Sequence, residues 1–344
     1  MIDSLRRMLE QILDGRDLSE AQAGELLRAL TSPDVPPPLA GAFLAGLRAK
    51  GVVADEVRGF AQAMRELGRR PDFEAGLPAI DIVGTGGDAS GSLNLSTGAA
   101  LLTAACGLPV IKHGNRSISS RSGSADLIEQ LGVPMPMDES LARQCLDSTG
   151  FTFLFAPYYH ASMKSLAPVR AALGIRTVFN LLGPLANPGA PRYYLIGAFS
   201  EPAARLMAEA LAGMAVERAW VLHGAQGWDE ATPIGPFKVF DVTPGRVNDM
   251  VLDPADLGIA RAEPSALAGG DAAANLAALL AVFEGHDTGV HLDALALQAG
   301  LALHIGGRAA SVGAGIEQAR EAVVSGAAAR WLRRLQSQPW RKTA

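Results

Sequence analysis

The chain has 344 residues, 49% of them apolar and 19% charged, enough for a large core and more than one domain. A net charge of −5 excludes the strongly basic balance of a nucleic-acid binder. No apolar run approaches the ~20 residues that span a bilayer, and the two cysteines, Cys106 and Cys145, lack metal-ligand spacing and read as buried free thiols. Residues 1–70 then read as all-helical. Leu5, Met8, Leu9 and Ile12 recur at helical spacing on an amphipathic, charged start that is unlike a signal peptide, so a cytoplasmic location is expected. Ser19 predicts the cap of a second helix. The Pro36-Pro37-Pro38 run breaks the pattern, a third helix runs over 39–50 to Gly51, and a fourth over 54–67. Arg69 to Pro78 is a linker, and the domain boundary is placed there.

From Pro78 onward the pattern switches to strands alternating with helices. Strands are expected at 80–83, 109–111, 152–156, 193–197 and 219–222, with a further one at 236–242. Helices are expected at 271–284, 292–305 and 316–336. Residues 157–190 interrupt the alternation with a helical stretch punctuated by Pro and Gly. The fold class is α/β: a small N-terminal all-helical domain, residues 1–72, to which part of 160–190 returns, and a larger domain, residues 78–344, around a mostly parallel central sheet.

Three segments carry chemistry. The first is Gly84-Thr85-Gly86-Gly87-Asp88, directly after a strand. It matches neither the dinucleotide fingerprint, which needs a helix opening at once and an acid about 20 residues on, nor the phosphate loop with its Gly-Lys-Ser/Thr. Asn94, Ser96 and Thr97 follow, placed to cap the helix whose N-terminus favours anions. A capped turn and an anion cradle both satisfy this run. The second segment, Lys112-His113-Gly114-Asn115-Arg116, brings positive charge to the carboxyl end of a strand. It continues into Ser117, Ser119, Ser120, Ser122 and Ser124, whose hydroxyls suit phosphate oxygens. The adjacent acids Asp229 and Glu230 are a poor chelate alone. Beside a held phosphate they would share a hard cation such as Mg²⁺. The third segment, residues 167–188, contains Arg170, suited to a bidentate carboxylate contact or to a structural role at the domain seam.

Taken together and in this order, these residues resemble anthranilate phosphoribosyltransferases. The similarity covers nearly the whole chain, including Asp14 to Leu18, Leu47 to Gly51, the Gly84–Asp88 and Lys112–Arg116 loops, Gly123 to Asp126, Pro168-Val169-Arg170, Arg176 to Pro188 and Gly227 to Glu230. The resemblance implies transfer of a phosphoribosyl group from phosphoribosyl pyrophosphate to the amine of anthranilate in tryptophan biosynthesis, with Mg²⁺, in a homodimer formed through the helical domain. It implies that Gly84, Gly87, Asp88, Ser92, Asn94, Ser96, Thr97, Lys112 and Ser124 hold the donor. Gly84, His113, Asn115 and Arg170 would meet anthranilate, with Lys112 and Arg170 as the catalytic cations. Ser96, Asp229 and Glu230 would hold the metal. The chain departs from the family pattern at Ser92-Leu93, Ala161, Trp228 and Gln298. Two competing readings keep the fold: the same donor with another aromatic amine or benzoate as acceptor, and a non-enzymatic nucleic-acid-binding relative, which the acidic balance opposes.

Overall fold

The computed structural model describes residues 2–74, 76–116 and 121–339. The chain opens with α1 (Ile2–Leu13), α2 (Glu20–Leu30), α3 (Pro37–Lys50) and α4 (Ala54–Leu67). Ser19 caps α2 in a reciprocal box: its Oγ accepts from the Gln22 amide at 3.2 Å while Gln22 Oε1 accepts from the Ser19 amide at 2.9 Å. Gly51 ends α3 at φ +85°, a conformation that favours glycine. The third helix begins two residues earlier than the sequence predicts. Proline at the first helical position is pre-set in φ and has no amide to leave unbonded, so it starts the helix instead of breaking it. Leu5, Met8 and Ile12 turn inward with Phe43, Leu47, Val57 and Phe60. One carboxylate organises the junctions: buried Glu56 accepts from the amides of Leu18 and Val53 and from Lys50 Nζ.

The larger part runs β1 (Ile80–Gly84), α5 (Leu95–Ala105), β2 (Val110–Gly114), α6 (Ser124–Gln130), α7 (Glu139–Thr149), β3 (Phe151–Phe155), α8 (Ala156–Tyr159), α9 (Ala167–Leu173), α10 (Phe179–Leu185), β4 (Tyr193–Gly197), α11 (Glu201–Ala212), β5 (Arg218–His223), β6 (Phe237–Thr243) and β7 (Arg246–Leu252). The seven strands lie in the order 3-2-1-4-5-6-7. The first five are parallel, and β6 and β7 add an antiparallel hairpin at one edge. The chain winds outward from β1 in one direction through β2 and β3, and in the other through β4 and β5. That reversal leaves a crevice at the carboxyl ends of the strands beside β1, where open α/β sheets bind ligands.

Alternation along the strands feeds two cores. Tyr193, Leu195, Trp220 and Leu222 face one side with α5 and the C-terminal helices. Tyr194, Ile196 and Val221 face the other, where Leu166, Val169, Phe179 and Leu182 join the core of the four N-terminal helices. The C-terminal helices are α12 (Ala272–Phe283), α13 (Val290–Ile305), α14 (Val312–Val324) and α15 (Ala327–Gln336). The sequence predicts one helix over 316–336. The structure makes two, because Ser325 ends α14 and Gly326 at φ +70° turns the chain before α15. Strand β7 is absent from the sequence expectation.

Candidate active site

The crevice is lined by the loops after β1, β2 and β5. Gly84, Gly86 and Gly87 let the first loop lie against Asp229. A Cβ on Gly84 would sit 2.5 Å from Asp229 Oδ2, and Gly86 and Gly87 have φ of +68° and +73°. The Gly86 amide donates to Asp229 Oδ2 at 2.5 Å, and Thr85 Oγ1 approaches the same oxygen at 3.4 Å. The Asp229 amide donates to Asp88 Oδ2 at 3.2 Å. Glu230 Oε1 accepts from the Ser96 amide in the first turn of α5, while Ser92 Oγ donates to its other oxygen. The two acids are therefore buried and folded under the glycine loop. The surface pair that adjacent acids usually form is not what the chain builds here. Gly84→Ala is expected to push the Asp229 carboxylate aside and to cost activity about 100-fold. Steady-state kinetics with Asp229 relocated in a crystal structure would check both halves.

Burial raises the Asp229 and Glu230 carboxyls well above the usual range. Repulsion from Asp88 adds to the first, and repulsion between the pair adds to the second. Two desolvated carboxylates side by side are a donor set for a hard, oxygen-loving cation. Among the described residues no group of three or more His, Cys, Asp or Glu side chains forms a metal cage by itself.

Several sequence expectations change here. Lys112, expected at the carboxyl end of a strand, lies inside the sheet: it is 1% exposed, with Nζ donating to the Ile82 carbonyl at 2.5 Å. Burial pulls its ammonium down to about 8, opposed by Asp81 and Glu230. Arg116 is not a free cation, since it pairs with Asp126 at 2.6 Å and Glu129 at 2.7 Å, acids on the helix that follows its loop. Asn94 stands at the N-cap of α5 without capping it. Its side chain instead bonds Ser122 and Asn275, which outcompete the helix amides by joining the second loop and α12. Ser124 Oγ donates to the Asn115 carbonyl, and Asn115 Oδ1 accepts from the Arg116 amide. Thr97 Oγ1 is buried without a partner. Ser117, Ser119 and Ser120 lie outside the described residues.

His113 and His160 form a buried pair, ring centroids 5.1 Å apart. His113 Nδ1 bonds the Gly183 carbonyl and His160 Nε2 that of Ala186, each at 3.0 Å. Burial pushes both imidazoles down, to about 3 and about 4, and neighbouring positive charge adds to it. Both are neutral at pH 7. The unfolded chain takes up these protons below about pH 6.5 and the folded chain resists until far lower, so stability is present above that pH and is lost on acidification. A melting series from pH 7 to 5 is expected to fall more steeply for the wild-type chain than for His113→Gln/His160→Gln.

Arg170 lies half-buried over the Phe179 ring, 4.9 Å from its centroid, with no acidic partner among the described residues. Desolvation lowers its pKa. Two contributors escape the sequence-derived site. Arg176 Nη2 donates to the Gly87 carbonyl at 2.5 Å and stacks on Phe199, so it steadies the glycine loop from the segment before α10. Asn275 anchors Asn94 from α12, in a stretch whose only sequence signal is helical.

Comparison with known proteins agrees with this arrangement. Residues 76–329 match the glycosyl transferase family a/b domain, and residues 6–68 match the helical bundle domain of the same family. Anthranilate phosphoribosyltransferase of Azorhizobium caulinodans is 42% identical over 95% of this chain and 94% of its own length. The crystal structure of anthranilate phosphoribosyltransferase from Thermus thermophilus superposes with a TM-score of 0.89 at 41% identity, over 96% of this chain and 98% of that one. The Saccharomyces cerevisiae protein, solved in complex with PRPP and Mg, gives a TM-score of 0.87 at 27% identity, over 97% of each chain.

Proposed function

The chain belongs to the anthranilate phosphoribosyltransferase family, and from that membership we infer that it transfers the 5-phosphoribosyl group of phosphoribosyl pyrophosphate to the amine of anthranilate, a step of tryptophan biosynthesis. The observation that carries the reading is the junction of the glycine loop with two buried carboxylates at the switch point of the sheet. During transfer the ribose C1–O bond breaks, pyrophosphate leaves with the electron pair, a C1–N bond forms, and the amine gives up a proton to solvent. The amine is an aniline, neutral at pH 7, so the acceptor needs positioning more than deprotonation.

Magnesium fits the oxygen donors of Asp229 and Glu230, with Ser96, whose amide meets Glu230, as the third residue that would hold it, and when bound it would neutralise charge on the departing pyrophosphate. The remaining roles fall to the chain. Gly84 and Gly87 of the glycine loop hold the donor together with Asp88, Ser92, Asn94, Ser96, Thr97 and Ser124. Lys112 supplies positive potential from beneath the sheet end. Arg170 pairs with the acceptor carboxylate, and Gly84, His113 and Asn115 shape the acceptor side. Closure of the helical part over the crevice excludes water that would otherwise hydrolyse the donor.

We place the enzyme in the cytoplasm as a homodimer joined through the helical domain, where Ile2 and Leu13 of α1 are exposed, Leu13 by 68%. Sedimentation at micromolar concentration should give twice the chain mass, and a monomer would reject that assembly. The decisive assay mixes the protein with phosphoribosyl pyrophosphate, anthranilate and Mg²⁺. Anthranilate fluorescence should fall with time, and a constant signal over active-enzyme concentrations would reject the reading.

A further inference from the structure

Strands β1 and β2 carry the two ligand loops, yet they are joined less regularly than their neighbours. Against β4, β1 is in register at five positions, Ile80 to Gly84 opposite Tyr193 to Gly197. Against β3, β2 is likewise in register at five. Between β1 and β2 the register holds at one pair, Ile80 opposite Val110. Beyond it, side chains replace the backbone ladder. Asp81 Oδ1 accepts from the His113 amide at 3.3 Å, and Lys112 Nζ donates to the Ile82 carbonyl. Asn187, fully buried, gives one amide group to both strands: its Nδ2 donates to Asp81 Oδ2 and to the Ile111 carbonyl, each at 2.8 Å. Its Oδ1 accepts from the Gly189 amide at 2.9 Å, which fixes the orientation of the amide. A buried carboxylate is costly unless its oxygens are satisfied, so this pairing is specific. Asn187 also lies in the short connection from α10, packed in the helical core, to β4.

We propose that Asp81 and Asn187 are positioning residues, a side-chain splice that sets the separation of the donor loop after β1 from the acceptor loop after β2 and ties both to the connection from the helical part. The assignment of the two loops rests on the functional reading above; the splice itself does not. Neither residue is among those assigned to donor or acceptor above. They act through where His113, Asn115 and the glycine loop are held.

Asp81→Asn keeps the shape but also removes the charge that supports the Lys112 ammonium, so Asn187→Ser, which leaves that charge in place, is measured beside it. An amide offers one acceptor oxygen where two donors, the His113 amide and Asn187 Nδ2, need two, so one contact must fail. Hydrogen exchange on the ligand-free protein should show residues 110–114 exchanging faster than in wild type, with 193–197 unchanged as an internal reference. Below the melting temperature, kcat/KM should fall about tenfold for both substrates together, through kcat more than KM. A residue with a merely structural role would lower the melting temperature and leave both rate and local exchange alone, and that outcome overturns the proposal. Asn187→Ser, whose hydroxyl reaches one partner at a time, is read by the same two measurements and stands alone should Asp81→Asn fail to fold. The wild-type chain supplies its own test: a His113 amide exchanging at loop rates would overturn the splice without any variant. Wild-type protein inert toward both substrates would reject the functional reading and leave the exchange result standing.

Discussion

Replacing Asp229 by Asn together with Glu230 by Gln is expected to lower kcat/KM about 1,000-fold and to remove the magnesium requirement with it. A metal contributes several kcal/mol of charge stabilisation, and each 1.36 kcal/mol is tenfold in rate, so about three decades are at stake. The amides keep the size of the acids and retain an oxygen for the Gly86 and Ser96 amides. The loss is therefore one of charge, not of shape. Stability should move the other way. Burial holds both carboxyls above their usual range, so the folded chain binds protons that the unfolded chain has already released. Stability from these groups is present at low pH and is lost as pH rises from the ordinary carboxylate range toward neutrality. The double variant removes that penalty and should melt above wild type at neutral pH without metal. Magnesium should raise the melting point of wild type and leave that of the variant where it is. Calorimetry with and without Mg²⁺, beside a magnesium titration of activity, checks the set. Activity that still depends on magnesium in the variant would eliminate the pair as ligands.

Arg170→Ala should raise KM for anthranilate by roughly 10- to 150-fold and leave KM for the donor nearly unchanged. The lost contact is a charge-assisted one, worth roughly 1.5–3 kcal/mol. The side chain stacks on Phe179 and has no acid beside it among the described residues, so its desolvated charge is met by a ring face but by no anion. That arrangement suits a group awaiting an anion. It also predicts that removing the side chain costs little stability, since a desolvated, unpaired charge is removed along with the stacking area. Arg170→Lys should fall between, because an ammonium keeps the charge and loses the planar fork. Equal losses for donor and acceptor would take Arg170 out of the acceptor role.

Much of this architecture was legible because its signals are local. The cap at Ser19, the stop at Gly51, the apolar strand cores and the glycines after β1 each state their conformation within a few residues. Sequence reasoning failed where partners come from far away. Nothing near Asn94 announces that Ser122 and Asn275 will take the side chain from its helix. Lys112 reads as a charge at the carboxyl end of a strand, and nothing local shows that β2 buries it in the sheet beside Asp81. Arg116 reads as an anion binder until α6 brings Asp126 and Glu129 against it. The acid pair illustrates the opposite case. Its position in a loop suggested solvent, and only the fold of the glycine loop over it gives the desolvation on which the metal argument depends.

Strand β7 escaped the sequence because its alternation is diluted by Arg246, Asn248 and Asp249, which point outward at the sheet's margin. That same composition makes the margin a poor template for a foreign strand: a neighbouring chain attempting to extend the ladder would have to strip water from these groups and from the Lys238–Asp249 pair beside them. Growth of the sheet into an aggregate is thus discouraged on the flank farthest from the ligand crevice.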